Sequence, residues 1–386
     1  MSDIFFESII TAKFLRRPNR FIVECLLNGE ERRAYLPNPG RLWELLFPGT
    51  LLYLTANGPE QKTPFTVVGV DRDGQVIMLH THKTNDVVHR LLRERRIPGL
   101  EEWTVVRPEV SVGKHRFDFL LQRQGKPFYL EVKSCTLFEG ALAMFPDAVT
   151  ERGRQHLEAL AHMAADDGID CGVLFLVQWP RAQCFLPDYH TDYAFARTFL
   201  AVKDRLWMSA VAISWNQELR LDEGIGAMTI PWGFLDEEVQ DGGCYLLLLT
   251  LDKETPVTIG KLGERTLPPG HYVYVGSARK NLTQRVERHL RKRKNFHWHI
   301  DYLRDRASRC TALAVRTTED LECTLAAAVQ VLAVDEVAGF GASDCRCTSH
   351  LFRFDAEPVR DRRFMAMVQH FRMGRLEERL LHHDER

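Results

Sequence analysis

The hairpin sequence FDFLLQRQGKPFYLEVKS, residues 117–134, narrows the possible folds of this chain more than any other segment. Two apolar runs flank a Gln-Gly pair, which predicts two antiparallel strands joined by a tight turn. Centring the turn on that pair places Asp118 opposite Glu131. It also places Arg116 opposite Lys133, and these four charges share one face because side chains two apart on a strand point the same way.

The two opposed carboxylates repel each other unless a positive charge lies between them, since directly opposed Cβ atoms are about 4.5–5.5 Å apart. A divalent cation such as Mg²⁺ would remove the repulsion, because it is often held by one or two carboxylates with waters and phosphate completing its shell. Lys133 could then orient a water or stabilise phosphorane charge. In the alternative interpretation the face is a solvated strand edge on which Arg116 and Lys133 neutralise the two acids.

The segments after the hairpin favour an α/β layer fold. Helical periodicity over about residues 150–166 precedes the buried strand CGVLFLVQW, and a second helix over about 192–206 precedes the strand VAISW. Hairpin, helix and buried strand follow one another as in a PD-(D/E)XK restriction-endonuclease-like core. Arg152 and His156 lie four apart on the first helix, so both are expected to face the cleft of the hairpin and to contact nucleic acid.

Turn signals and composition divide the chain into five segments. Residues 1–82 hold short β-rich runs between Asn-Gly, Pro-Gly and Asp-Gly pairs, which predicts a small OB-like barrel. The α/β layer follows over 83–222, and Gly, Pro and acidic residues over 223–242 indicate a linker. A second, α+β unit is predicted over 243–356, and a charged helical tail over 357–386.

Several strings between about residues 5 and 215 resemble the sugar fermentation stimulation protein family, whose members are described as DNA/RNA nucleases. They are FLRRPNRFIVECLLNG, AYLPNPGRLWELLFPG, HRFDFLL, YLEVKSCTL and FPDAVTERGRQHLEAL. The resemblance implies an OB-like domain and a PD-(D/E)XK nuclease domain. It also implies metal ligation by Asp118 and Glu131 and a catalytic role for Lys133. Glu109, in RPEV, is a further candidate metal ligand, and an exposed acid is the alternative.

Any binding of nucleic acid has to come from local patches, because the formal net charge of −1 predicts no general attraction to polyanions. Arg116 on the hairpin is one candidate contact. Arg41, in LPNPGRL, is another: Pro39-Gly40 is interpreted as a turn that opens a short helix and leaves Arg41 and the backbone amides able to meet a phosphate. The alternative is a plain helix start.

The cysteines and the N-terminus indicate a reducing, cytoplasmic environment. The nine cysteines are odd in number, and several lie in apolar runs where cysteine behaves as a small buried hydrophobe. Asp3 and Glu7 stand where a signal peptide would be basic, and no apolar run approaches the roughly 18 residues of a membrane span. We therefore expect a cytoplasmic protein without a membrane partner.

The segment from Arg279 to Lys294 predicts a basic amphipathic helix. It holds eight Lys or Arg residues and one acid, Glu287, a composition typical of a phosphate-binding face. The alternative is a solvated helix surface, because charge runs often reflect exposure alone. The candidate nucleic-acid contacts here are Arg279, Arg288, His289, Arg291, Lys292, Arg293 and Lys294.

Residues 243–355 resemble a GIY-YIG nuclease-like domain, with GCY and YVG in place of the two triplets that give the family its name. The resemblance implies that Tyr245 and Tyr274 act near the nucleophile. It further implies that Arg285 holds the scissile phosphate and that Glu322 binds a divalent metal, Mg²⁺ or Mn²⁺. A cysteine at the centre of the first triplet and a longer insertion between the triplets depart from the family pattern. Core aromatics are the alternative role for the tyrosines.

Two polar motifs remain in the second unit. In SDCRCTSH, Cys345, Cys347 and His350 are three potential zinc ligands. No fourth ligand and no C-x₂-C pair are evident, so a structural or substrate-side role is favoured over zinc. In HWHIDYL, residues 297–303, alternating His and Asp side chains predict a polar surface beside the basic helix.

These features predict an α/β multidomain protein, comprising an OB-like barrel, a PD-(D/E)XK core and an α+β GIY-YIG-like domain. It is expected to bind DNA or RNA and to hydrolyse phosphodiester bonds with Mg²⁺ or Mn²⁺. The alternatives are a non-enzymatic DNA-binding regulator of sugar metabolism genes, which the family name favours, and a scaffold in which both nuclease folds are degenerate. Asp118, Glu131 and Lys133 argue against decay of the first nuclease core.

Overall fold

A computed structural model describes residues 5–166, 168–259 and 263–381. The chain forms two compact units, one of residues up to Leu235 together with a C-terminal segment from Glu377, and the other Asp236–Leu376. The first four residues, among them the Asp3 considered above, and the last five residues of the predicted tail lie outside the described residues. Each unit is described by itself.

The N-terminal part of the first unit is a closed barrel. Its strands pair in the order β3-β2-β1-β4-β5, and parallel pairing of β3 with β5 closes the ring. Asn28 and Gly29, between β2 and β3, both have positive φ (51° and 84°), as a two-residue hairpin turn requires. The strands are β1 (Ile10–Asn19), β2 (Ile22–Leu27), β3 (Glu30–Tyr35), β4 (Leu51–Ala56) and β5 (Phe65–Arg72).

The α/β part continues the same sheet through β6-β14-β12-β9-β8-β7, with β15 paired to β14, and a small sheet β10-β11-β13 lies apart. The parallel neighbours of β12 are β9 and β14. The elements are β6 (Gln75–Met78), α1 (Thr84–Arg93), β7 (Thr104–Val112), β8 (His115–Arg123), β9 (Lys126–Cys135), β10 (Leu137–Glu139), β11 (Leu142–Phe145), α2 (Glu151–Asp166), β12 (Asp170–Val177), β13 (Cys184–Pro187), α3 (Tyr193–Ala201), β14 (Trp207–Trp215) and β15 (Leu221–Ala227).

Successive side chains of β9 point alternately into the hydrophobic core and toward the site. Leu130 and Val132 are buried in a hydrophobic cluster with Leu174 of β12 and Leu91 of α1. Because neighbouring side chains on a strand point to opposite faces, Glu131 is directed away from that cluster. Burial of the apolar set therefore determines where the charged side chains of β9 lie.

The second unit is built on a five-stranded sheet of order β20-β16-β19-β22-β21. The insertion between the two tyrosine triplets contributes a separate hairpin, β17–β18. The remaining elements of the chain are α4 (Trp232–Glu238), β16 (Gly243–Leu251), β17 (Thr255–Thr258), β18 (Glu264–Leu267), β19 (Gly270–Ala278), α5 (Leu282–Leu290), α6 (His299–Arg306), β20 (Arg309–Arg316), α7 (Glu322–Leu332), β21 (Asp335–Glu336), β22 (Leu351–Phe354), α8 (Arg362–Gln369) and α9 (Arg375–Leu381). The first residues of α4 and the last residues of α9 are assigned to the first unit.

The structure corrects three sequence interpretations. The predicted linker over 223–242 contains most of β15 and all of α4, because Leu235 and Val239 are buried. Pro39-Gly40 opens no helix. The basic helix α5 ends at Leu290, and Lys294 turns back so that its ammonium donates to the carbonyls of Arg288 and His289, which are orphaned at the helix C-terminus.

Candidate active sites

The β8–β9 hairpin has the predicted register. Its pairs run from Arg123 opposite Lys126 to Phe119 opposite Leu130. Asp118 lies just beyond the last of these pairs. Its Oδ2 accepts a hydrogen bond from the Val132 backbone N–H at 2.7 Å, and its Oδ1 accepts one from Asn85 Nδ2 at 2.7 Å. Both carboxylate oxygens are thereby held in place, and Asn85, on α1, is a site residue that no sequence signal indicated.

Glu131 is almost fully buried beside Asp118, and its two oxygens differ. Oε1 accepts a hydrogen bond from Lys133 Nζ at 2.5 Å and lies 2.5 Å from His156 Nδ1. Oε2 is buried and has no hydrogen-bond partner among residues 5–166, 168–259 and 263–381. A buried carboxylate oxygen without a partner loses hydration without compensation, so this atom is suited to a ligand that supplies positive charge.

The two carboxylates have opposite pKa shifts. Burial, reinforced by the negative charge of Glu131, raises the pKa of Asp118 to about 6. Burial alone would also raise the pKa of Glu131, but Lys133 and His156 outweigh it and hold that pKa below its usual value. Glu131 is therefore ionised at neutral pH, whereas Asp118 gains a proton under mildly acidic conditions.

These side chains line a cleft of about 580 Å³. Arg152 of α2 donates a hydrogen bond to His156 Nε2 at 3.4 Å, and the other ring nitrogen, Nδ1, contacts Glu131. Arg116 and Glu109 form an ion pair with each other, and each side chain is more than half exposed. The structure thus brings the predicted residues of the hairpin and of α2 to one cleft, with Glu109 at its exposed rim beside Arg116 rather than against the buried carboxylates.

The two backbone amides on either side of Arg41 already have hydrogen-bond acceptors. The backbone N–H of Leu42 donates to Asp147 Oδ2 at 2.7 Å, and that of Gly40 donates to Asn38 Oδ1 at 2.9 Å. A carboxylate therefore already occupies the position proposed for a phosphate. The Arg41 guanidinium lies 4.8 Å from the centroid of the Trp43 ring, a cation–π distance.

We expect metal stabilisation of the folded protein to depend on pH through Asp118. The pKa of Asp118 in the folded protein, about 6, exceeds its usual value of 3.8, so protonation of Asp118 stabilises the metal-free fold. This stabilisation is lost as the pH rises from about 4 to above about 6. Mn²⁺ should therefore raise the melting temperature more at about pH 7.5 than at about pH 5. Differential scanning fluorimetry with Mn²⁺ or EDTA measures this. Equal shifts at both pH values, or an unchanged shift in Asp118→Asn, would contradict it.

The second unit places Tyr245 of β16 beside Tyr274 of β19, with ring centroids 6.3 Å apart. Gly276 makes this approach possible, because a Cβ there would lie 2.6 Å from the Tyr245 hydroxyl. Glu322, the first residue of α7, accepts a hydrogen bond from the Ser277 hydroxyl. Burial raises the pKa of both tyrosines, so their hydroxyls remain protonated at neutral pH and can act as donors.

Two further buried polar side chains, His289 and Asp301, lie beyond Tyr245. The Tyr245 hydroxyl lies 3.1 Å from His289 Nε2, and His289 Nδ1 lies 3.4 Å from Asp301 Oδ1. Burial and the nearby Lys294 lower the pKa of His289 to about 4, so the ring is neutral at physiological pH. Arg285 lies 4.4 Å from the centroid of the Trp298 ring.

Asp301 corrects the prediction for the basic segment. It is fully buried, not part of a polar surface, and pairs with Arg288 at 3.0 Å and with Lys294 at 2.8 Å. Arg288, Lys294 and the buried His289 are therefore engaged inside the unit rather than offered to phosphates. Asp301 lies three residues after Trp298, the residue that caps α6, and accepts its backbone N–H; this spacing is a sequence signal that could have indicated a capping role. The exposed members of the predicted set are Arg279, Arg291, Lys292 and Arg293.

Three family models match successive parts of the chain. A family model described as SfsA N-terminal OB domain matches residues 15–79, and one described as sugar fermentation stimulation protein RE domain matches residues 82–218. A third, domain of unknown function DUF123, matches residues 244–373, the GIY-YIG-like part. The predicted fold class is confirmed.

Individual relatives agree with the family models. A sugar fermentation stimulation protein homolog from Clostridium botulinum (strain Alaska E43 / Type E3) is 39% identical over 202 residues, covering 52% of this chain and 87% of that protein. A homolog from Methanothermobacter thermautotrophicus is 36% identical over 197 residues, covering 51% and 82%. The structure of Pyrococcus furiosus SfsA in complex with Ca²⁺ has 25% identity and a TM-score of 0.55, and the similarity covers 60% of this chain and 99% of that one.

Within residues 5–166, 168–259 and 263–381, no helix is both long and apolar enough to cross a bilayer.

Proposed function

Because the chain belongs to the sugar fermentation stimulation protein family, we propose that it is a metal-dependent nuclease that binds DNA or RNA and hydrolyses phosphodiester bonds in the cleft of Asp118, Glu131 and Lys133. The observation that carries the proposal is the buried Oε2 of Glu131, which has no hydrogen-bond partner in the described part of the chain, beside the oriented carboxylate of Asp118. A regulator that only binds nucleic acid has no need to bury an uncompensated carboxylate oxygen.

The residues present fit a hard divalent cation, because Mg²⁺ and Mn²⁺ prefer carboxylate oxygens and Asp118 and Glu131 offer two such groups on adjacent strands. The complex of Pyrococcus furiosus SfsA with Ca²⁺ supports a divalent cation in this family. When bound, the cation would polarise the scissile phosphate and lower the pKa of a bound water.

The remaining side chains have distinct tasks in this proposal. Asn85 and the Val132 backbone N–H orient Asp118, and His156 orients Glu131. The Lys133 ammonium lies within the cleft, where it can stabilise negative charge that develops on the phosphoryl oxygens. Arg152, at the mouth of the cleft, and Arg116, at its rim, supply charge for neighbouring phosphates.

We propose a second phosphodiester site in the GIY-YIG-like unit. The supporting observation is the contact between the Tyr245 hydroxyl and Nε2 of the neutral, buried His289, which lie 3.1 Å apart. Neutral His289 can accept the proton of the Tyr245 hydroxyl as the tyrosine oxygen takes a proton from the attacking water. Arg285 would position the phosphate, and Glu322 would ligate the metal.

The proposal is tested with the full-length protein and labelled single- and double-stranded DNA and RNA, in Mg²⁺, Mn²⁺ or EDTA. We expect products with Mg²⁺ or Mn²⁺ and none with EDTA. Comparing Glu131→Gln with Glu322→Gln assigns the activity to one site or the other. Binding without cleavage under every condition would identify a nucleic-acid-binding regulator and overturn the nuclease proposal.

Replacing Arg291, Lys292 and Arg293 together with Gln is expected to weaken binding to all sequences alike, because exposed cations contact phosphates without reading bases. The slope of log K against log salt should become shallower by about 0.9 for each duplex phosphate that these cations no longer neutralise. Fluorescence anisotropy over a salt series measures both quantities, and the exposed Lys253→Gln serves as the control. An unchanged affinity and slope would show that these side chains form only a solvated surface.

A further inference from the structure

Four potential metal ligands meet in the second unit, although the sequence suggested three. The Cys₃His cluster comprises Cys323, Cys345, Cys347 and His350, and its ligand atoms all lie within 4.8 Å of one another. The fourth ligand, Cys323, is the second residue of α7 and is 22 residues before the nearest of the other three. Cys345 Sγ lies 3.4 Å from His350 Nε2.

We propose that the Cys₃His cluster binds one structural Zn²⁺. Three thiolates and one imidazole are an ordinary ligand set for tetrahedral zinc, and four protein ligands leave no open position for chemistry. Bond lengths of about 2.3 Å to sulfur and about 2.0 Å to nitrogen place tetrahedral ligand atoms about 3.5–3.8 Å apart, so little movement closes the observed set around the ion. This proposal does not depend on nuclease activity.

The soft ligands distinguish this site from the carboxylate cleft of the first unit. Thiolates select zinc, Cu(I) or iron–sulfur clusters over Mg²⁺ and Mn²⁺, and a single tetrahedral position with a histidine ligand favours zinc among these. The three cysteines are free thiols in the structure, consistent with metal ligation in a reducing compartment.

The surroundings of His350 support ligation by its Nε2 atom. Its ring is almost fully buried, with Nε2 toward Cys345 and Nδ1 3.2 Å from Glu322 Oε1. Metal-ligating histidines usually direct their second nitrogen to a carboxylate or carbonyl, which fixes the ring orientation. Through this contact zinc would also hold Glu322, the proposed ligand of the neighbouring nuclease-like site.

The cluster also explains how the connection between β21 and β22 is held. Residues 337–350 contain no helix or strand, yet Phe340 is fully buried, and its ring centroid lies 5.9 Å from that of Tyr274. The His350 backbone accepts a hydrogen bond from Val275 N–H, so the end of this connection is attached to β19. A zinc crosslink between α7 and this connection would stabilise its packing against Tyr274.

The metal content of the full-length chain is the direct test. Protein purified under reducing conditions without chelators is expected to contain about one zinc per chain by inductively coupled plasma mass spectrometry. Replacement with Co²⁺ should give thiolate-to-cobalt charge-transfer bands and the intense visible bands of tetrahedral cobalt. Wild-type protein that contains no zinc and takes up neither Zn²⁺ nor Co²⁺, or whose cluster cysteines are joined by a disulfide under these conditions, would overturn the proposal.

Variants separate ligation from a general effect on folding. Cys347→Ser and His350→Ala should lose most of the bound zinc, whereas His350→Cys should retain it, because four cysteines also form a structural zinc site. Cys310→Ser, the same change on β20 outside the cluster, is the matched control and should retain zinc. Zinc retained in Cys347→Ser, or lost equally in Cys310→Ser, would assign the ion to another site.

Discussion

Glu131→Gln is expected to abolish metal-dependent cleavage in the first unit, with a rate loss of about a thousandfold, equivalent to about 4 kcal/mol of transition-state stabilisation. The amide keeps the shape of the side chain but removes the charge that would hold the cation and that now pairs with Lys133 and His156. Single-turnover cleavage, measured in the wild-type and Glu322→Gln backgrounds, separates this loss from any activity of the second unit.

Stability measurements on the metal-free protein control for folding, because the two carboxylates should respond with opposite signs. Glu131→Gln should lower the melting temperature in EDTA, since the ionised carboxylate is stabilised by Lys133 and His156. Asp118→Asn should raise it, since burial disfavours the charged form of that group. Calorimetry that finds equal metal affinity in the wild type and in the double variant would exclude this metal site.

Asp301→Asn is expected to destabilise the second unit by about 3–5 kcal/mol, because it leaves two cations without their buried counter-ion. Asp301 accepts paired hydrogen bonds from Arg288 at 3.1 and 3.0 Å and lies 2.8 Å from Lys294. It also accepts the backbone N–H groups of His297 and Trp298. Chemical denaturation and hydrogen exchange of the α5 and α6 peptides measure the loss.

Asp305→Asn is the matched control for this change. It lies on the same helix, and its partner Arg306 is 3.9 Å away with both side chains largely exposed, so its loss should cost at most about 1 kcal/mol. The ion pairs also hold the pKa of Asp301 below its usual value. The contribution of ionised Asp301 to the stability of the fold is therefore present above about pH 4 and is lost as the pH falls further. Equal effects of the two substitutions would contradict a buried ion-pair network.

Much of the first unit could be predicted from the sequence because its signals are local. A Gln-Gly turn with positive φ at both residues establishes the β8–β9 register, and alternation along the strands follows from that register. The same reasoning placed Asp118, Glu131 and Lys133 on one face of the hairpin. Helix periodicity predicted α2 over about 150–166, close to its observed bounds, Glu151–Asp166.

What the local signals could not specify is which polar groups already have partners. The amides beside Arg41 are expected to be available in isolation, but one of them is satisfied by Asp147, 105 residues after Leu42. Arg288 and Lys294 have the composition of a phosphate-binding surface, yet the fold directs both to Asp301. The availability of a charge depends on contacts between segments that are distant in sequence.

The sequence by itself determined the order of the domains, the strand register of the hairpin and the residue types available for chemistry, because turn geometry and side-chain periodicity act over a few neighbouring residues. Only the tertiary structure decided that Glu131 Oε2 has no partner among the residues described and that Cys323 joins Cys345 and Cys347. Burial and close approach of this kind result from packing of whole elements against one another, which no short window of sequence encodes.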